Sequence, residues 1–489
     1  MNIVFVGGGS FRTLPIVRAA MKDKSLFQNG KIWLVDFNLS RAETVGRLIM
    51  KTPEYAGTNC EIKWTDNLDK ALPGADIVSI SFPVGSLKVC RQSEEASVKK
   101  GFIGSDQISL SGAFRSLTGG VVILNIAKKM EKYCPDAWLV THANPVAVYS
   151  GMVNNHTKIK ALGVCSGINN HRWDLTRLIF DKDEYSDEFK VSVAGINHCS
   201  FILRGAYRNK DIYKLIDESI DRKGWQPCHL TKFKSIDKSV RESLKWLAEM
   251  RRRFGIIIFS TEWDGMAHIF FEEIFNYSMK NYYKYKSDSI SQVAGGYIAG
   301  NINLAYYKKT SVSQIEKLAK DQEKERQQQD MEFRSYLDKE LDTDFWAKDP
   351  LENPHFAAYI SDPIATVITA VGGNSKQWLA ASFPNRGAVK GFKDRTVLEY
   401  SMLLDKEGVH PDHDLEVPDC FHGLISSLAT HQTLLGDAIA TSDPKIFAEA
   451  LFAYPVYQNT QRAKSLWKEL LKIHAKEIPD VFQKAEDYF

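Results

Sequence analysis

Three polar side chains have the types and positions to bind a metal ion, a cofactor or a substrate. Asn144, Cys165 and His198 each stand at or just past the end of a predicted strand, and the carboxyl ends of parallel strands face the ligand crevice of a sheet. Taken alone, they are equally compatible with a polar loop turned by Pro145, a buried thiol and a hydrogen-bonded histidine. Taken together, a thiolate and an imidazole could hold one divalent metal ion and leave coordination positions open for a substrate. The Asn144 amide could bridge cofactor and substrate.

The N-terminal residues show the pattern of a strand, a tight turn and the start of a helix. An apolar run over 2–6 stops at three glycines, 7–9, which Ser10 follows, and residues 11–17 are apolar at helical spacing. Glycine lets the backbone approach a ligand closely, and the N–H groups at a helix start attract a phosphate. The pattern therefore predicts a phosphate-binding turn.

A carboxylate follows the second predicted strand. This strand, 31–35, ends at Asp36, where a carboxylate accepts hydrogen bonds from ribose hydroxyls and repels a 2′-phosphate, so we predict a dinucleotide site that prefers NAD. Because Arg12 takes the third glycine position of the G-x-G-x-x-G fingerprint, a glycine-rich turn of another α/β protein stays an alternative. The candidate cofactor-binding residues are Gly7, Gly8, Gly9, Ser10, Phe11, Arg12, Asp36, Pro83 and Asn144.

The elements that must position these residues indicate an α/β fold. Apolar segments at 75–81 and 137–141 are predicted as buried strands, with helical patterns between them, which favours a Rossmann-type doubly wound parallel sheet. We expect an NAD-binding domain over 1–190 and a substrate-binding, catalytic α+β lobe over 191–489, like the arrangement of lactate and malate dehydrogenases. A very polar insertion is expected around 314–348.

The second lobe is predicted to be largely helical. The pattern is mostly helical from 210 to 310 and from 423 to the end, and the apolar segment 361–373 should form a buried helix. Residues 376–403 are predicted as short strands and loops.

Composition excludes several classes of function. With 44% hydrophobic and 25% charged residues, the chain has the composition of a soluble globular protein. A net charge of +3 is too small to indicate a nucleic-acid partner. Seven cysteines without framework spacing favour reduced thiols in the cytoplasm, and a chain that starts in a core strand leaves no room for a signal peptide. No apolar segment is expected to reach the ~20 residues that cross a membrane.

The order and spacing of the motifs resemble glycoside hydrolase family 4, the NAD- and metal-dependent glycosidases, or a closely related sister family. The resemblance runs from Gly7 to the C-terminal helices and is weaker near 205–255 and 310–350. The motifs that carry it are Gly7 to Ser10, Asp36, 134–138 before Asn144-Pro145, Cys165, Asn197-His198, Asp264 with His268, and 385–388 before 396–399.

This resemblance implies the ligands of a metal ion. Cys165 and His198 would hold it, with manganese the usual ion, and Asn144 would contact substrate or cofactor. Asn197 is a candidate substrate-binding residue. Relatives often follow the metal-ligand cysteine with Asp, Asn or His, whereas Ser166 follows it here.

The resemblance also implies catalytic groups. Asp264 stands where some members place the base or an assisting carboxylate, and Asp106 matches an acidic residue of a family stretch. His268 is a further candidate for the acid, although a histidine on a helix face, four residues after Asp264, is an equally good explanation. The implied reaction is oxidation at sugar C3 by NAD, metal-assisted elimination at C2, water addition and re-reduction, with hydrolysis as the net result.

Basic residues suggest the substrate class. Arg91, Arg115 and Arg386, together with Arg12 and Lys88, could lie around the cleft and bind an anionic group at sugar C6, as in a uronide, a sulfoquinovoside or a 6-phosphoglycoside. Surface solvation explains most of these arginines equally well. The expected partner is therefore a small glycoside, without nucleic acid or membrane.

Aromatic-rich helical patterns around 270–283 make a homodimer or homotetramer plausible. Two rival functions stay open. One is a dehydrogenase of the 2-hydroxy acid type with His198 as proton acceptor, and the other is a non-catalytic NAD-binding sensor.

Overall fold

A computed structural model gives the fold of the chain. It describes residues 1–223 apart from 11, 83, 84, 86, 101 and 183, then 244, 247–259, 265, 266 and 362–489 apart from 374, 375 and 456–459. The predicted polar insertion at 314–348 and the aromatic-rich segment at 270–283 lie outside the described residues.

Six parallel strands form the first half of one sheet, in the spatial order β3-β2-β1-β4-β5-β6. Apart from the edge strand Glu61–Thr65, which carries charged residues and is only partly buried, their cores are nearly continuous apolar runs, as strands covered on both faces require. This order, with the strand sequence reversing at β1, is that of the Rossmann fold and confirms the predicted doubly wound sheet. The strands are β1 (Asn2–Val6), β2 (Lys31–Val35), β3 (Glu61–Thr65), β4 (Ile77–Ile80), β5 (Trp138–Thr141) and β6 (Lys160–Gly163).

Helices connect these strands. Side-chain caps set three of their starts: Asn38 accepts from the Arg41 N–H, Asn67 from the Asp69 N–H, and Ser109 from the Gly112 N–H at 2.9 Å. The helices are α1 (Thr13–Ala20), α2 (Leu39–Met50), α3 (Leu68–Ala71), α4 (Leu87–Lys99), α5 (Leu110–Tyr133), α6 (Val146–His156) and α7 (Gly167–Phe180).

Helix α5 is longer and more apolar than we expect from the sequence. By length and composition it could cross a membrane, which corrects the expectation that no segment is long enough. In the fold, 72% of its most apolar window is buried, and it packs against α4 and α6. A core helix of a soluble protein has the same properties, so α5 is weak evidence for a membrane.

The second half of the sheet is antiparallel and continues from β6 in the order β11-β12-β7-β8-β10. Ser382 of β11 pairs with Gly163 of β6, so one sheet runs through both predicted lobes, and a boundary at 190 stays a prediction. The strands are β7 (Phe189–Ile196), β8 (Cys199–Tyr207), β9 (Lys210–Asp211), β10 (Ile257–Ile258), β11 (Gln377–Pro384), β12 (Val397–Asp405) and β13 (Gly408–Pro411).

Strands β11 and β12 correct the expectation of short strands and loops over 376–403. They form a hairpin of eight- and nine-residue strands paired along their whole length. Most of their residues are buried in succession, so the alternation of polar and apolar residues that marks a half-exposed strand is missing.

The helices predicted over 361–373 and from 423 to the end are present, and α8 (Ile212–Lys223) begins the helical region predicted over 210–310, most of which lies outside the described residues. Asp362 caps the buried helix α9 by accepting from the Ile364 N–H at 2.9 Å, and Pro363 takes its first turn. The helices are α8 (Ile212–Lys223), α9 (Pro363–Gly372), α10 (Asp419–Thr441), α11 (Pro444–Ala453) and α12 (Thr460–His474).

Candidate active site

The β1–α1 turn forms the cradle that the sequence predicts for a dinucleotide. Gly7 has a φ of +83°, and a Cβ built on Gly8 would lie 2.6 Å from the Cα of Leu34, so only glycine fits. The Gly9 N–H donates to Asp36 Oδ2 at 2.9 Å. The carboxylate predicted to face a ribose therefore stands directly beside the glycine turn, as a dinucleotide site requires.

Arg12 follows this turn, and its side chain reaches toward the second half of the sheet. Its guanidinium pairs with the buried carboxylate of Asp362, donates to Ser166 Oγ at 3.0 Å and lies 2.7 Å from His142 Nδ1. Burial, and then the positive charge of Arg12, lower the pKa of His142 well below its usual value, so this imidazole is neutral. Arg12 thus joins the glycine turn to the segment that carries the predicted metal ligand.

Cys165 and His198 converge, although the chain separates them by 33 residues. Cys165 lies just past β6, His198 lies in the turn between β7 and β8, and Sγ is 3.7 Å from Nε2. In a tetrahedral zinc site, a sulfur ligand and a nitrogen ligand lie about 3.6 Å apart. The separation of Sγ and Nε2 therefore fits two ligands of one metal ion. The separation also allows a hydrogen bond between thiol and imidazole.

No other described carboxylate, cysteine or histidine completes a cluster of three potential metal ligands there. A metal held by two protein ligands keeps several coordination positions open, which suits the binding of substrate oxygens more than a structural role.

A second cluster lies at the start of α5 and the end of β5. The Asn144 amide donates to Asp106 Oδ2 at 3.0 Å, and Arg115 Nη1 is 3.7 Å from the same oxygen. The side chains of Arg115 and Asp106 are 14% and 17% exposed. The cluster therefore brings together a carboxylate, an amide and a guanidinium, and the carboxylate and guanidinium side chains are mostly buried.

The two clusters share one edge of the sheet. His142, two residues before Asn144, has Nε2 within 3.3 Å of Ser166 Oγ, and Ser166 is the neighbour of Cys165. The loops after β5 and β6 are thus in direct contact, as expected at the carboxyl ends of adjacent parallel strands.

The remaining predicted residues have different surroundings. Asn197 is 3% exposed and donates its amide to Glu399 Oε2 at 2.9 Å. Arg386 is exposed in the β11–β12 turn, its guanidinium 4.8 Å from the centre of the Phe383 ring, and it does not contact either cluster. Ser10 Oγ accepts from the backbone N–H of Arg12. Phe11, Pro83, Asp264 and His268 lie outside the described residues, as do the side chains of Lys88 and Arg91.

Sequence reasoning missed three members of this region. No role is predicted for His142, Asp362 or Glu399, although Glu399 ends the motif 396–399 that carries part of the family resemblance. The pair Asp362-Pro363 is a helix-start signal, and an acid inside the apolar strand 397–404 signals a buried carboxylate with partners.

Comparisons with known proteins find relatives that match nearly the whole chain. The chain is 24% identical to a probable 6-phospho-beta-glucosidase of Bacillus subtilis (strain 168), covering 99% of both chains. It is 23% identical to an alpha-galacturonidase of Thermoanaerobacter italicus, covering 96% of this chain and 95% of that one. A 6-phospho-alpha-glucosidase from gut microorganisms, solved in complex with NAD and Mn²⁺, has a similar fold, with a TM-score of 0.72, 17% identity and coverage of 98% and 99%.

Two family models match nearly the whole chain. The model described as family 4 glycosyl hydrolase matches residues 2–179, and the model of the C-terminal domain of the same family matches residues 193–457. The chain belongs to glycosyl hydrolase family 4.

Proposed function

We propose that this protein is a glycoside hydrolase that uses NAD and a divalent metal ion, Mn²⁺ in particular, to cleave glycosides with an anionic group at C6. The observation that carries the proposal is the pair Cys165 Sγ and His198 Nε2, 3.7 Å apart, in a family 4 chain that also holds a glycine cradle and Asp36. The relatives named above act on 6-phosphoglucosides or galacturonides, and a solved one binds NAD and Mn²⁺.

The residues divide into two binding roles. The turn Gly7–Gly9 would hold the pyrophosphate of NAD and Asp36 its ribose, while Cys165 and His198 would hold the metal. When bound, NAD supplies a reversible hydride acceptor, and the metal stabilises negative charge on sugar oxygens.

The second cluster would bind and orient the sugar. The Asn144 amide and the Asp106 carboxylate, 3.0 Å apart, offer a donor and an acceptor for sugar hydroxyls. Arg115, whose Nη1 lies 3.7 Å from Asp106 Oδ2, is the described arginine best placed to attract an anionic group. Asp106 is the candidate for holding or donating a proton within the described residues. Asp264 as base and His268 as acid stay predictions.

A substrate panel tests the reaction and the substrate class together. Aryl α- and β-glycosides with an alcohol, carboxylate, phosphate or sulfonate at C6 are assayed with NAD, Mn²⁺ and a reductant, the alcohols serving as matched controls. We expect release of the aryl group from at least one anionic series. Activity on the neutral glycosides alone would overturn the substrate class.

Isotope incorporation tests the mechanism. Proton removal at C2 predicts that product formed in D₂O carries deuterium at C2, and its absence would exclude elimination. Net hydrolysis also predicts no build-up of NADH, whereas NADH formed in proportion to product would favour the rival dehydrogenase.

We further propose that the protein works as a homodimer or homotetramer in the cytoplasm. The six described cysteines are free thiols, which suits a reducing compartment. Light scattering during gel filtration gives the assembly: a mass of 55.4 kDa would be a monomer and would contradict it.

A further inference from the structure

The proposed metal ligand His198 lies in an unusual backbone conformation. Strand β7 ends at Ile196 and β8 begins at Cys199, so Asn197 and His198 alone form the connection. His198 has a φ of +65°, which is uncommon for a residue with a side chain. Such a conformation persists when surrounding contacts fix it.

Glu399 supplies contacts on both sides of this turn. Its carboxylate, 3% exposed on β12, accepts from Asn197 Nδ2 at 2.9 Å through Oε2 and from Ser200 Oγ at 2.8 Å through Oε1. These two donors flank His198 in the chain. One carboxylate therefore connects the residue before the histidine to the second residue after it.

The register of the strands sets this arrangement. Glu399 is paired with Gly195, which leaves its side chain level with the start of the turn. A Cβ on Gly195 would lie 2.4 Å from the Cys199 carbonyl oxygen and 2.5 Å from the Ser200 Cα, so the turn packs tightly on itself. Asn197 and Ser200 are 3% and 2% exposed, so their side chains face the protein and serve to hold the turn.

We propose that Glu399 is a positioning residue of the metal centre, which fixes the Asn197–Ser200 turn so that His198 Nε2 meets Cys165 Sγ. This inference rests on the proposed function, since it assumes that the pair binds the metal. A carboxylate suits the role because each oxygen accepts one of the two donors. Glutamine keeps one accepting oxygen and presents an N–H to the other partner, so the two accepted bonds cannot both form, and aspartate is too short by one methylene to reach both partners.

The test compares Glu399→Gln with Ser401→Ala in the full-length protein. Ser401 lies on the same strand, accepts from the Val193 N–H at 2.9 Å and is buried, so its loss removes a contact between β12 and β7 that lies away from the turn. Mn²⁺ affinity is measured from the electron paramagnetic resonance signal of free Mn²⁺, alongside NAD affinity and the melting temperature.

We expect Glu399→Gln to weaken Mn²⁺ binding by roughly 10- to 100-fold, the usual effect of losing a group that orients a ligand, with NAD affinity within about twofold. Ser401→Ala should lower the melting temperature and leave Mn²⁺ affinity unchanged. Ser200→Ala, which removes one of the two bonds, should give a smaller loss of Mn²⁺ affinity and keeps the test valid if Glu399→Gln does not fold.

Two results would contradict the inference in distinguishable ways. Wild-type Mn²⁺ affinity in both Glu399→Gln and Ser200→Ala would overturn the positioning role alone. Absence of Mn²⁺ binding by the wild-type protein, with NAD binding intact, would overturn the metal site and with it this inference.

Discussion

Cys134 and Cys165 have thiols in different surroundings. Burial raises the pKa of Cys134 to about 11. Cys165, by contrast, has an imidazole nitrogen 3.7 Å away and a serine next to it that belongs to the Arg12 network. Since metals bind the thiolate, the imidazole beside Cys165 gives that thiol a partner with which it can share an ion.

Replacing each cysteine by alanine separates these roles. Cys165→Ala should lower Mn²⁺ affinity and glycosidase activity by more than about 100-fold, because removing a ligand should cost more than removing a group that orients one. NAD affinity should be retained, since the glycine turn is a separate structure. Mn²⁺ titration, NAD titration and aryl glycoside turnover give the three readings.

Cys134→Ala is the matched control for that substitution. It should keep Mn²⁺ affinity and activity and cost about 1 kcal/mol of stability through loss of a buried group. Equal Mn²⁺ affinity in Cys165→Ala and Cys134→Ala would exclude Cys165 as a ligand.

At the residue scale, the sequence alone left the cysteine and the histidine open to ordinary structural explanations. Their convergence depends on strands far apart in the chain, and only the resemblance to a family joined them in advance. The ion pair of Arg12 and Asp362 spans 350 residues and has no local pattern, so it could not be predicted. The role of Glu399, which ends the motif 396–399, could not be predicted either, because its partners come from a different hairpin.

At the element scale, the β1–α1 turn leaves no space for a side chain at Gly8. Gly8→Ala would put a Cβ 2.6 Å from the Leu34 Cα, a backbone atom of the neighbouring strand that cannot move aside cheaply. We expect weaker NAD binding, by at least about tenfold, and a lower melting temperature, because β1 and β2 must separate. NAD titration and thermal unfolding measure both effects.

Gly423→Ala provides the comparison for this turn. Gly423 lies in α10, and a Cβ there would meet nothing within 4 Å. Alanine in a helix should leave NAD binding unchanged and raise stability slightly, by up to about 1 kcal/mol. A Gly8→Ala protein that binds NAD as well as Gly423→Ala does would show that the turn is not a cofactor cradle.

An element could be predicted from the sequence where its own residues carry a local signal. Strand β1, the glycine turn and the cap of α9 each have a signal in the local sequence. These signals are an apolar run, three successive glycines and an Asp-Pro pair. The long hairpin of β11 and β12 lacks such a signal because both of its faces are covered. Its length is therefore set by the helices packed on it and cannot be predicted from its own residues.

At the scale of the whole molecule, helix α11 packs against α10, and α10 and α12 pack against α5, through buried contacts that include two histidines. His431 Nδ1 lies 2.6 Å from the Ala450 carbonyl oxygen, which joins α10 to α11, and burial lowers its pKa from 6.5 to about 4. His474, at the end of α12, lies against Phe114 of α5, and burial lowers its pKa to about 3. Both side chains are neutral in the folded protein near pH 7.

These lowered pKa values make stability depend on pH. Between pH 6.5 and 4 the unfolded chain binds protons on these histidines and the folded chain does not, so the free energy of unfolding must fall as the pH falls. From its pKa, His431 alone should account for about 2 kcal/mol of the loss between pH 7 and pH 5. His431→Gln keeps a hydrogen-bond donor for Ala450 and removes the titration, so the loss of unfolding free energy over that range should be smaller by this amount in the variant.

Urea unfolding at both pH values, with the exposed His413→Gln as control, measures the difference. An unchanged pH dependence in His431→Gln would mean that His431 accepts a proton as readily in the folded protein as in the unfolded chain, and that the α10–α11 contact is open to water.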